Sequence, residues 1–358
     1  MHSRQPASRR RHGRNPQKNV HISVIRRMKL DTNRINYLNI CLMMLSCFVA
    51  YIVPFELFLF SYAVLGPLHY LTEISWLHDR NYFVEQSRDR RIKNGWLLLV
   101  AVTLSVMLYG MFSEKVLHQD LSPVWEIGLF YLVFVTALLL MFVRKITTGS
   151  IVIVLALIAM FFSSGSRYYA LTAFFLITII HVFVFTAAFI FYGALKSKSR
   201  SGLLSLAVFI LCVLCFFVYT PRETVLTAGE FVKSSYGSFS TLNAELIKFF
   251  NLGAGTTLRE IYDSKAGLIV MRLIAFAYTY HYLNWFSKTS VIKWHEISKV
   301  RTVAIAGLWL ISIGVYAYDY QIGMITLYFL SVLHVMLEFP LNHQTFAGIG
   351  REVYALTR

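Results

Sequence analysis

Two short stretches carry the same pair of ionisable residues in otherwise apolar surroundings. "GPLHYLTE" at 66–73 places Glu73 four residues after His69, and "VLHVMLEFP" at 332–340 places Glu338 four residues after His334. On a helix, residues four apart share a face, so each imidazole can meet its carboxylate or both can meet one metal ion. Two further histidines, His181 in "IIHVFVF" and His281 in "AYTYHYLNWF", also lie inside apolar runs. Ionisable groups in a bilayer are costly, face the interior of a helix bundle and take a partner there. Neutral imidazole is the commonest metal ligand. Histidines from four separate helices, with Glu73 and Glu338 orienting the rings or ligating directly, would make a buried iron site; a carboxylate in the outer shell of a metal fixes the tautomer and direction of its histidine. The competing structural reading is that each histidine is a helix–helix hydrogen-bonder.

The helices that must carry these residues are legible in the composition. The 358 residues are 57% hydrophobic, 16% aromatic and 15% charged, where a soluble domain is nearer a quarter charged. Charges gather between apolar runs long enough to cross a hydrocarbon core as helix. The fold class expected is all-α, a polytopic transmembrane helix bundle. The ten expected spans are 36–53, 56–77, 95–112, 124–143, 149–163, 168–195, 202–219, 266–286, 302–318 and 321–341, with Pro54 and Glu56 marking the first hairpin. The domain organisation expected is a basic disordered cytosolic tail at 1–35, a helical domain at 36–341 with one long outer loop at 220–265, and a short cytosolic tail at 342–358. "TLNAELIKFF" in that loop reads as an amphipathic helix on the membrane surface. Lys and Arg are richer in the alternate connections 78–94, 144–148, 196–201 and 287–301, so both termini are expected in the cytosol.

The net charge of +16 is uneven: residues 1–35 hold ten Lys and Arg against Asp31 alone. That tail is expected to sit beside anionic lipid, and no nucleic-acid partner is expected because no folded basic domain follows it. The late start of the first apolar run argues against a cleaved leader. Cys41, Cys47, Cys212 and Cys215 read as apolar packers; the CxxC they contain lies inside a membrane span.

With the amino terminus inside, His69, His181, His281 and His334 all fall on spans running outward to inward, three of them at similar depth. Aromatic residues crowd His281, and Tyr278, Tyr280, Tyr282, Asn284 and Trp285 are candidate walls of an apolar substrate pocket, with Tyr280 also a candidate catalytic group. A second set, His78 with Asp79, His295 with Glu296, and His343, lies at the cytosolic rim as a minor alternative metal site. Gly66-Pro67 before His69 predicts a kink with freed carbonyls.

The four histidine segments, taken in order, resemble the Brp/Blh family of membrane β-carotene 15,15'-dioxygenases. That family has a GLPHGALD-like motif, a His-Phe-Gly motif, a Tyr-rich helix with an HxxxH-like pair and a late PHxxxxD-like helix. The resemblance covers about sixty residues and implies Fe(II), rather than zinc, held by histidines and activating O₂ to cleave a carotenoid. His69 and His181 match the first two ligands, His334 matches the late motif, and Glu338 stands near the family's acid. The third motif departs: keeping the tyrosines aligned puts Asn284 where a ligand histidine is expected, with His281 one turn earlier. The proline also precedes Leu68 rather than the histidine. The reading is therefore an iron-dependent oxygenase acting on a carotenoid-like or other apolar substrate. Two alternatives stand beside it: a transporter or channel with a buried His/Glu relay, and a non-catalytic lipid-binding membrane protein.

Overall fold

The computed structural model describes residues 16–84, 90–114, 123–142, 171, 174–221, 228–253, 257–293 and 295–358. Among the described residues there are helices and no strands. In chain order they are α1 (Pro16–Ile52), α2 (Pro54–Asp79), α3 (Arg90–Phe112), α4 (Pro123–Phe142), α5 (Ile180–Ser197), α6 (Arg200–Val218), α7 (Glu230–Tyr236), α8 (Ser240–Phe249), α9 (Leu258–Asp263), α10 (Lys265–Ser287), α11 (Thr289–Ile292), α12 (Lys299–Tyr318) and α13 (Tyr320–Leu356). Eight of these are long and apolar enough to cross a membrane: α1 over Thr32–Ile52, α2, α3 from Arg91, α5, α6, α10, α12 and α13. Their outer faces carry Phe48, Leu98, Leu211, Val303 and Ile311, each well exposed. A soluble protein does not surround itself with such a surface; lipid accepts it. The expected span at 149–163, residues 1–15 of the basic tail and residues 168–170 and 172–173 of the expected 168–195 span lie outside the described residues.

α10 is the hub. Nearly every side chain from Ala266 to Tyr282 is buried, as expected for a helix apolar on all faces and ringed by others. It is flanked by α1, by the first half of α2 and by the short helices α8 and α9. α13 joins the second group, packing against α2, α4, α5 and α12. The histidine centre forms where these two groups meet.

Three expectations change. α1 begins at Pro16 and runs to Ile52, so the basic segment is helical from Pro16 onward; no Gly or Pro intervenes before Pro54 to stop it. α13 continues to Leu356 instead of ending at 341. Its far half is packed, since Asn342, His343, Thr345 and Gly348 are buried and a Cβ on Gly348 would sit 2.5 Å from the Tyr192 ring. The amphipathic helix forms as α8, but Leu242, Ala244, Leu246 and Ile247 are buried against α10, so its apolar face meets protein rather than lipid.

Candidate metal centre

His69, His181, His281 and His334 come together. Each is between 1% and 7% exposed, and one ring nitrogen from each lies within 4.8 Å of the others. His69 Nε2 and His281 Nε2 are 3.1 Å apart, and His181 Nε2 and His334 Nε2 are 3.2 Å apart.

Two interrupted helices bring the first two rings to this point. α2 opens into a π-helical turn at Ser61–Leu65 just before Gly66-Pro67. Pro67 cannot donate to the turn before it, and the wider turn absorbs that loss. The Val64 carbonyl in this turn is taken by Trp309 Nε1 of α12 at 2.8 Å. Ser61 Oγ and Thr279 Oγ1 meet at 2.7 Å, tying the same turn to α10. Gly66 is needed because a Cβ there would approach the Tyr70 and Tyr282 hydroxyls to 3.0 and 3.3 Å. α5 has a second π-helical turn at Ile180–Phe185, and His181 sits inside it. His281 and His334 project from the regular helices α10 and α13.

Partners then fix the rings. Thr186 Oγ1 lies 2.8 Å from His281 Nδ1, and the Leu330 carbonyl is 3.3 Å from His334 Nδ1. A carbonyl only accepts, so His334 carries its proton on Nδ1 and presents the Nε2 lone pair to the centre. Trp285 packs edge-on to His69 with centroids 5.5 Å apart, its Nε1–H donating to Thr72 Oγ1 at 3.0 Å. The two acids stand differently. Glu73 Oε2 is 3.0 Å from His69 Nε2, the nitrogen that faces His281. Glu338 Oε2 is 3.2 Å from His181 Nδ1, behind the ring, and accepts from Asn342 Nδ2 at 3.3 Å.

This donor set suits a divalent cation. Metal–imidazole bonds of about 2.0–2.1 Å put adjacent ligand nitrogens about 3 Å apart, the spacing of both close pairs. Glu73 and Glu338 are hydrogen-bonded to each other and so share a proton here; a divalent cation would supply charge that their ionised forms can balance in a dry interior. His69 Nδ1 and Glu73 Oε2 are buried without a hydrogen-bond partner, as is His181 Nδ1, which faces Glu338 off the hydrogen-bonding axis. A buried four-histidine group able to hold a metal ion is thus present; the donors alone do not select which metal.

A cavity of about 270 Å³ opens from this centre. His181 and His334 line it together with Tyr70 and Tyr282, as do Phe239 and Leu242 from the segment between α6 and α10. Of the residues expected to line a pocket, Tyr278 and Tyr282 do so. Trp285 instead backs His69. Tyr280 and Asn284 face the other way: Tyr280 OH donates to Asn39 Oδ1 of α1 at 3.1 Å and lies 3.5 Å from Asn284 Oδ1. Residues beside His281 in sequence point away from its ring because successive helical positions turn by about 100°.

The sequence reading passed over Tyr70, whose ring stacks on His334 at 4.3 Å and whose hydroxyl pairs with Tyr282 OH at 2.8 Å. It also passed over Thr72, Thr186 and Asn342. Thr186 follows His181 by five residues, and only the π-helical turn brings it beside His281. The rim residues form no cluster with one another. Asp79 pairs with Arg301 at 2.7 Å, Glu296 with Lys293 at 2.9 Å, His78 Nδ1 meets Tyr82 OH, and His343 Nε2 reaches the Phe134 carbonyl.

Fold and site together define a helical, multi-pass membrane protein with a buried polyhistidine centre. Comparison with protein-family models, with curated protein sequences and with solved structures gives no match.

Proposed function

We propose that this chain is a membrane-embedded non-haem metalloenzyme. It holds Fe(II) on His69, His181, His281 and His334 and oxidises a lipid-soluble molecule in the adjoining cavity. Iron bound there supplies the activation of O₂. The observation that carries the reading is the convergence of four buried imidazoles, one from each of four helices, of which His181 and His334 line a largely apolar cavity. The open side argues against a purely structural ion, which its ligands would close off; the choice of iron over zinc rests on the resemblance to the Brp/Blh family.

The chain's own residues have separate tasks. Thr186 and Leu330 hold His281 and His334 in orientation, and Glu338 stands 3.2 Å behind His181. Glu73, on the inward nitrogen of His69, is placed to ligate or to hold a proton beside the centre. Tyr70, Tyr278 and Tyr282 wall the cavity and exclude water, so an apolar substrate is positioned by shape. The resemblance to the Brp/Blh family supports a carotenoid-like or other apolar substrate. The charge bias of the connections supports cytosolic termini, with the basic amino-terminal segment against anionic lipid.

The test is metal analysis of protein purified anaerobically in detergent. About one iron per chain is expected, and His69→Ala should lose it while the protein remains folded. Protein that is folded and active without metal overturns the reading. Pigment extracted from cells that also make β-carotene tests the family's own reaction: loss of carotene with gain of retinal supports it, and unchanged carotene removes it.

A further inference from the structure

The cavity that reaches the histidine centre contains an acidic residue that no part of the metal site uses. Glu126 of α4 lines it, together with the hydroxyl-bearing Tyr328 and Ser331 of α13 and Ser238 and Thr241 of the segment between α6 and α10. Glu126 belongs to a helix whose remaining residues from Pro123 to Phe142 carry no charge. Its place is built for it. On α3, Gly110 leaves the space the carboxyl occupies; a Cβ there would lie 1.7 Å from Oε1 and 2.9 Å from Cδ. The socket is therefore cut in one helix to receive an acid from another.

Among the described residues no cation answers that acid, and no lysine or arginine lines the cavity. Among the described residues no hydrogen bond or ion pair reaches the Glu126 carboxyl, and its strongest charged neighbour is another acid, Glu114. A carboxyl group in apolar surroundings needs a donor. His181 and His334 line the same cavity. Glu126 is partly exposed, so water can reach its carboxyl; an occupant that displaces that water keeps the carboxyl satisfied only if it brings a donor of its own.

We propose that the cavity binds a single-chain or isoprenoid amphiphile whose end bears a hydrogen-bond donor, a hydroxyl or an ammonium, seated on Glu126. The occupant's apolar portion then lies against the tyrosines and points to the histidine centre. This deepens the oxygenase reading by naming the class of its substrate, and it rests on that reading for the claim that the occupant is oxidised.

The test measures occupancy independently of metal and turnover. Full-length protein in lipid nanodiscs is exposed separately to dodecan-1-ol, dodecylamine, dodecane and dodecanoic acid, and bound ligand is read by native mass spectrometry. The wild type should hold the alcohol or the amine at least about tenfold more tightly than the alkane or the acid, the discrimination expected of a hydrogen bond to a charged group. Glu126→Leu should abolish that preference. Glu126→Gln should spare binding of an alcohol, because the amide still accepts, and should lose binding of an amine, which separates the two head groups. Gly110→Ala should displace the carboxyl and weaken the same ligand; with Glu126→Gln it carries the test should the leucine variant fail to fold. Equal binding of alkane and alcohol, or a preference that survives Glu126→Leu, overturns the proposal. Wild type that keeps the preference but takes up no iron when purified and reconstituted anaerobically sinks the oxygenase reading and leaves this one standing.

Discussion

Thr186→Val isolates one contact at the metal centre. Thr186 is 1% exposed, and its Oγ1 lies 2.8 Å from His281 Nδ1. Valine keeps the branched shape and removes the oxygen. For His281 to offer Nε2 toward His69, its proton must sit on Nδ1 and be accepted by that oxygen. In the variant the Nδ1–H is buried without an acceptor, at a cost of about 1–3 kcal/mol. Moving the proton to Nε2 relieves that cost but withdraws the ligand. Either route weakens metal binding by roughly 10- to 100-fold, the usual effect of removing a group that holds a metal-binding histidine. The assay is anaerobic competition for Fe(II), or for Co(II) as a visible surrogate, against a chelator of known affinity, with thermal melts of the metal-free proteins alongside. Thr186→Ser should recover most of the affinity. An unchanged dissociation constant in Thr186→Val would refute the assignment of His281 as an oriented ligand.

The remaining predictions concern the frame. His78→Ala and His295→Ala, separately or together, should leave metal content unchanged by elemental analysis, because the rim side chains form no cluster; loss of metal would place the centre elsewhere. Gly267→Ala should lower the melting temperature markedly, since its Cβ would fall 2.2 Å from the fixed Ile261 carbonyl oxygen. Gly193→Ala, in α5 with nothing within 4 Å, should instead raise stability by about 0.5–1 kcal/mol through helix propensity. Burial holds the half-buried Lys288, just past the end of α10, down to about 8 from an ordinary 10.5. The folded state then binds fewer protons than the unfolded state between those values, so this residue makes stability rise with pH from about 8 to 10.5. Melting curves of Lys288→Met across that range should show a smaller rise than the wild type; an identical slope removes the claim.

Much of the frame was legible because lipid imposes length and apolarity on each crossing helix. The ends of α2, α3, α6, α10 and α12 fall within a few residues of the apolar runs, since capping and charge stop a helix where the run stops. The far end of α13 was not legible. Pro340 and a polar stretch resemble an exit from the membrane, yet Gly348 docks on Tyr192 and carries the helix onward. The four histidines were legible because an imidazole within an apolar run is costly enough to be conspicuous. Their neighbours were not. Sequence adjacency suggested Tyr280 and Asn284, whereas a helix turns those side chains toward Asn39; Tyr70 and Thr186 reach the centre through packing between helices, which no single run of residues displays.

The two π-helical turns, at Ser61–Leu65 and Ile180–Phe185, each house an additional residue relative to an ordinary turn. A wide turn absorbs such an insertion where it occurs, so the halves of the helix on either side keep their facing. Shortening either helix by a single residue is therefore tolerable only at these places; the same deletion anywhere between the wide turn and its partner surface would swing every later side chain by about 100°. Lineages of this protein should accordingly accumulate their length changes within α2 and α5 at two narrow windows, leaving the rest of both helices fixed in register.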